Sequence, residues 1–98
     1  MSTQLRTYTL KVGKLDAWVR LYENGIRALR EREGFETIGT WVARDREQFI
    51  WILSHQGDQV DFESADAAYY ELPEHNALHL EALEYLAHAD SIFVDRTA

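Results

Sequence analysis

The run Phe49-Ile50-Trp51-Ile52-Leu53 is apolar at every position, and it constrains the fold more than any other stretch of the chain. Its length and its β-branched and aromatic content suit a strand. Side chains of a strand alternate between the two faces of a sheet, so a strand apolar throughout needs both faces covered at that place. A chain of 98 residues with 46% hydrophobic content reads as one domain, residues 1–98, whose helices can cover one face. The other face needs a different cover, and the same sheet of a second copy is the simplest. A domain of this size buries only roughly two thirds of its unfolded surface by itself, so a homodimer is expected. The plainer alternative is a monomer with a very hydrophobic central strand.

The remaining elements follow from periodicity. Gln4 to Leu10 is rich in Thr, Tyr and Leu and is predicted to be a strand ending at Val12-Gly13. Between Lys14 and Glu33, the residues Leu15, Trp18, Val19, Tyr22, Ile26 and Leu29 recur at helical spacing, with Asp16/Arg20 and Glu23/Arg27 pairs opposite and Gly34 closing the helix. Glu36 to Ala43 and Gln48 to Ser54 read as a hairpin around Arg44-Asp45-Arg46-Glu47. After Gly57-Asp58, Asp61 is the expected N-cap of a helix bearing Phe62, Ala65, Ala68, Tyr69 and Leu72, which Pro73 interrupts. A further helix is expected from Asn76 to Ala87, carrying Leu78, Ala82, Leu83 and Leu86, and a last strand over Ser91-Ile92-Phe93-Val94. The order β-α-β-β-α-β predicts an α+β, ferredoxin-like domain, a four-stranded antiparallel sheet with both helical layers on one face. Two such sheets face to face make a dimeric α+β barrel.

Charge and composition remove several function classes. Ten Lys and Arg against 17 Asp and Glu give a net charge of −7, which repels phosphate backbones and anionic membranes, so neither nucleic acid nor a membrane is an expected partner. Without cysteine there is no disulfide, thiol nucleophile or Cys-based metal site. The N-terminus lacks the apolar stretch of a secretory signal and no run is long enough to span a membrane, so a cytoplasmic location is expected. There is no glycine-rich phosphate loop, and no cofactor is expected.

The opening Gln4-Leu-Arg-Thr-Tyr-Thr-Leu-Lys-Val-Gly-Lys-Leu15, the long helix, and Gly34-Phe-Glu-Thr-Ile-Gly-Thr-Trp41 resemble the NIPSNAP family of dimeric α+β barrels over nearly the whole chain. Arg6, Tyr8, Gly13, Gly39 and Trp41 carry most of the likeness. One segment departs from it. Tyr69-Tyr-Glu-Leu-Pro73-Glu-His75 is similar, in its Y-x-x-x-P-x-H spacing, to the helix break of the plant olivetolic acid cyclase, another small dimeric α+β barrel. That resemblance implies Tyr69 and His75 as an acid-base pair that closes a polyketide ring.

The residues themselves admit the same chemistry. His75 titrates near neutrality and can take a proton from an activated carbon, while the Tyr69 hydroxyl can donate to the enolate oxygen that forms. The structural alternative makes Tyr69 core packing and His75 a surface residue capping the next helix. His75 and His79 are four apart and face alike on a helix, but the H-E-x-x-H pattern and a third ligand are missing, so no metal is expected. His55, at the end of the apolar strand, could line the mouth of a pocket beside Trp51 or begin a loop. His88 reads as structural, near a helix end. Trp18, Trp41 and Trp51 with Tyr8, Tyr22, Phe49 and Phe93 supply either a flat aromatic pocket or core and interface. Arg6 on a central strand must meet a ligand carboxylate or an internal partner such as Asp90 or Asp95.

The expected site is therefore His75 and Tyr69 as catalytic pair, with Arg6, Tyr8, Trp51, His55 and His79 around a small-molecule substrate. The expected activity is a cofactor-free cyclase or isomerase in a biosynthetic pathway. The alternatives are a cofactor-independent monooxygenase of the same barrel type, in which the substrate supplies the reducing power, and a non-catalytic protein that binds a ligand or partner.

Overall fold

The computed structural model describes residues 1–97. Four strands, β1 (Ser2–Leu10), β2 (Glu36–Ala43), β3 (Gln48–His55) and β4 (Leu86–Val94), form one antiparallel sheet in the order β2-β3-β1-β4. This is the split β-α-β order expected of a ferredoxin-like α+β domain. The helices are α1 (Leu15–Leu21), which runs through a π-helical turn (Tyr22–Ile26) into α2 (Arg27–Arg32), and α3 (Gln59–Tyr70) and α4 (Pro73–Tyr85). The domain is thin, 19 Å along its shortest axis, as two layers require. Among the described residues no helix is long and apolar enough to cross a membrane.

The sheet sorts its residues by face. Along β1 every second residue, Ser2, Gln4, Arg6, Tyr8 and Leu10, is buried under the helices, and on β3 the same face carries Phe49, Trp51 and Leu53. These meet Leu15, Trp18, Tyr22, Ile26 and Leu29 of the long helix and Phe62 and Tyr69 of α3. Each large apolar side chain so buried contributes roughly 1.5–3 kcal/mol. The opposite face carries Ile50 and the row Ile52, Leu5 and Ile92, which pair across β3, β1 and β4. Trp41, opposite Ile50, is 52% exposed and Ile92 is 59% exposed. The all-apolar reading of β3 thus corresponds to one face packed within the chain and one left apolar at the surface.

Several expected boundaries move. Asp58, not Asp61, is the N-cap of α3: its carboxylate accepts from the Asp61 amide at 3.0 Å while the Asp61 carboxylate accepts from the Asp58 amide at 3.0 Å. Asp61 is the other half of a reciprocal capping box. Pro73 does not merely interrupt a helix but begins α4, at the first-turn position where its missing N–H costs nothing. Helix α4 accordingly starts before Asn76 and ends at Tyr85, and β4 begins at Leu86 rather than Ser91. His88 therefore lies within a strand. Leu83 is exposed rather than core, and Asp16 binds Arg44 at 3.1 Å.

Candidate functional site

The sequence places polar groups where the core should be apolar, and the fold gathers them at one place. Arg6 on β1 is only 3% exposed and Arg30 on α2 only 1%. Both guanidinium groups donate to one carboxylate oxygen, Oδ1 of Asp66 on α3, Arg30 Nη1 at 2.6 Å and Arg6 Nη2 at 2.9 Å. The Tyr70 hydroxyl accepts from Arg6 Nη1 at 3.0 Å and from Arg30 Nη2 at 3.3 Å. Arg6 Nε donates to Gln4 Oε1 at 2.8 Å. Burial opposes the Arg6 charge, but Tyr8, Tyr70 and Asp66 more than offset it and raise its pKa. Two buried cations against one carboxylate leave this region with an excess positive charge.

Arg30 also lies against aromatic faces. Its guanidinium carbon is 3.7 Å from the centroid of the Tyr69 ring and 4.7 Å from that of Phe35, stacking that suits a planar cation. The long helix delivers it through its π turn. Trp18, Tyr22, Ile26 and Arg30 are spaced by four, and in an ideal α-helix each such step overshoots a full turn by roughly 40°. The wider π turn at Tyr22–Ile26 takes up part of that drift, so that all four are buried.

Next to this cluster lies a cavity of about 160 Å³. Tyr8, Trp18, Arg30, Trp51, Tyr69 and His75 contribute to its walls, with Tyr70 and with Leu78, His79 and Ala82 of α4. Five buried side-chain atoms have no hydrogen-bond partner among the described residues: Trp18 Nε1, Arg30 Nε, Trp51 Nε1, Tyr69 OH and His75 Nδ1. All five belong to side chains that line this cavity. Buried polar groups are ordinarily paired, so their concentration in side chains around one small space makes it the candidate site.

Tyr69 and His75 stand edge to face, ring centroids 4.9 Å apart, without a hydrogen bond between them. Pro73 and the turn after α3 bring His75 back under the helix, where it is 8% exposed. Burial, then His79 and Arg30, lower the His75 pKa, which keeps the imidazole neutral and able to accept a proton at neutral pH. Burial pushes the Tyr69 phenol up to about 12, so it remains a donor. The Tyr8 hydroxyl is raised by burial against the opposing Arg6 charge.

Of the residues expected at the site, His75, Tyr69, Tyr8, Trp51 and His79 line the cavity. Arg6 stands behind it, bound to Asp66 rather than to Asp90 or Asp95. His55 lies elsewhere: its ring packs on Phe35 at 4.9 Å and its Nδ1 is 2.9 Å from the Gln56 carbonyl. His75 and His79 are close, ring centroids 5.2 Å apart, but no group of three metal-ligating side chains occurs among the described residues. Arg30 and Asp66 were not anticipated, while Trp18, one of the aromatic residues expected in a pocket or core, lines the cavity. The signal for Arg30 was its register with Trp18, Tyr22 and Ile26, and for Asp66 its position four after Phe62 and three before Tyr69.

Comparison with known proteins adds a family and a fold. The NIPSNAP family model matches residues 3–94. A NIPSNAP domain protein of Burkholderia xenovorans superposes with a TM-score of 0.87 at 18% identity, over 100% of this chain and 96% of that one. A NIPSNAP family protein of Agrobacterium tumefaciens gives 0.88 at 15% identity, over 98% and 92%. An antibiotic biosynthesis monooxygenase gives 0.73 at 12% identity, over 100% of both chains. No curated protein is detectably similar in sequence.

Proposed function

The chain belongs to the NIPSNAP family, and we propose that its cavity is the active site of a cofactor-free enzyme that removes a proton from an oxygen-bearing ring and stabilises the resulting anion. The observation that carries this reading is that five side chains bearing unpartnered polar atoms line one cavity. His75 takes the proton; its neutral imidazole is poised for that by burial. The anion that forms is met by Tyr69 OH, the two indole N–H groups and Arg30.

The fate of that anion favours oxygenation. A phenolate can reduce O2 directly, so that a ring C–H becomes a quinone C=O with one oxygen atom retained and the other released as water, and no external reductant is consumed. The likeness in fold to an antibiotic biosynthesis monooxygenase supports this, and so does the volume of about 160 Å³, which suits a ring better than a folded polyketide chain. Ring closure by Tyr69 and His75 is the second reading, supported by the Tyr69-x-x-x-Pro73-x-His75 spacing. The functional unit on either reading is a homodimer closed into a barrel across the face bearing Leu5, Trp41, Ile50, Ile52 and Ile92, an apolar surface of the kind that marks an interface.

The test is hydrogen-deuterium exchange at the ring carbons of 3,5-dihydroxybenzoate, followed by NMR beside oxygen uptake. Wild type should accelerate exchange over buffer, and His75→Gln should lose about 100-fold or more of that acceleration. Oxygen uptake coupled to exchange favours the oxygenase; exchange without uptake favours cyclase chemistry. Exchange no faster than in buffer, or unchanged in His75→Gln, refutes His75 as the base and leaves a binding protein.

A further inference from the structure

We propose that the molecule this cavity accepts is a single six-membered ring bearing one anionic oxygen group, of the benzoate or phenolate type, with the anion on the Arg30 side. The inference rests on the cavity being a small-molecule site but not on any proton transfer within it.

Size sets the first limit. An apolar protein cavity of about 150 Å³ takes up benzene, whereas sites for drug-sized ligands span roughly 300–1,000 Å³; at about 160 Å³ this one admits one substituted ring and not a fused pair. Tyr8, Tyr70 and Ala89 line both this cavity and a second one of about 130 Å³ beside Arg6 and Ser91, and the Tyr70 hydroxyl is held by both arginines.

Shape and charge set the rest. Trp18, Trp51, Tyr8 and Tyr69 present aromatic walls, Tyr8 edge-on to both indoles with centroids 5.2 and 6.1 Å away. Three of the side chains that line it, Trp18, Trp51 and Arg30, carry unpartnered groups that can only donate, which favours a ligand that accepts. An ammonium or a hydrocarbon leaves them unmet. Arg6 and Arg30 share only Asp66, and one further anion balances the cluster. The facing groups on α3 and α4, namely Tyr69, Tyr70, His75 and His79, bring no carboxylate other than Asp66 to do so.

The experiment is calorimetric titration of the protein at pH 7.5 with benzoate, benzamide and 2-naphthoate, with quenching of tryptophan fluorescence as a second readout. Benzoate should bind at least about tenfold more tightly than its neutral isostere benzamide, since a bound charge pair is worth roughly a decade or more. The second ring of 2-naphthoate should weaken binding by at least as much. Arg30→Met should abolish the preference for benzoate over benzamide. Should that variant not fold, the wild-type comparison stands by itself. Equal affinity for benzoate and benzamide, equal affinity for 2-naphthoate, or no binding of any of the three overturns the proposal. Loss of exchange activity in His75→Gln with benzoate binding intact overturns nothing here, because binding needs no base.

Discussion

Asp66→Asn isolates the electrostatics of the arginine cluster with almost no change of shape. The carboxylate it removes accepts from Arg30 at 2.6 Å and from Arg6 at 2.9 Å, and the two arginine side chains are 2% and 4% exposed. Breaking a buried ion pair by deleting one partner costs about 3–5 kcal/mol, because the remaining charge is stranded away from water. Asp66 itself is 22% exposed, so solvent screens part of the interaction and about 3 kcal/mol is the appropriate figure. A 98-residue domain has a total stability of roughly 5–15 kcal/mol, so the loss is a large share of it. At about 4–8 °C per kcal/mol for a domain of this size, the midpoint of thermal unfolding should fall by ~12–24 °C, measured by circular dichroism at fixed protein concentration. Glu63→Gln, an exposed acid on the same helix, is the control and should shift stability by no more than about 0.5 kcal/mol. A fall of less than about 3 °C for Asp66→Asn, or an equal fall for both variants, refutes the view that one carboxylate holds the two guanidinium groups in place.

Other consequences are as direct. Gly57 has φ +94° and a Cβ there would collide with the Asp61 carboxylate, so Gly57→Ala should combine left-handed strain with loss of the capping box and cost about 1–3 kcal/mol by urea unfolding. The His75 imidazole should titrate below its ordinary value, and His79→Asn, which removes the second contributor to that shift, should move its NMR midpoint upward. Because the folded-state pKa of His75 is depressed, its contribution to stability is complete above the unfolded value near 6.5 and is lost as pH falls through the folded value; unfolding midpoints of wild type and His75→Gln should therefore diverge above pH 6.5 and converge in acid. Trp41→Glu should convert the proposed homodimer to monomer in sedimentation velocity, since it sets a charge on the apolar outer face; a monomeric wild type refutes the barrel.

The secondary structure was legible because its signals are local. The Gly34 stop, with φ +92°, and the hairpin around Arg44–Arg46 depend on a few neighbouring residues. The start of α3 was misread because Asp58 and Asp61 each carry a capping signal, and only the backbone geometry decides which residue lies outside the helix. The start of β4 was misread because Leu86 to Asp90 lacks strand propensity and is extended only because β1 pairs with it. The sequence by itself determined the element order and the apolar stripes, which are matters of spacing along the chain, and the candidacy of Tyr69 and His75 came from the likeness of their segment to a cyclase helix break. Tertiary structure alone decided that Arg6 and Arg30, 24 residues apart in sequence, converge on Asp66, and that five side chains carrying unpartnered polar atoms line one cavity. A charged residue in an apolar stripe says that it is buried; which opposite charge it finds depends on how the helices cross the sheet, and no spacing along the chain encodes that crossing.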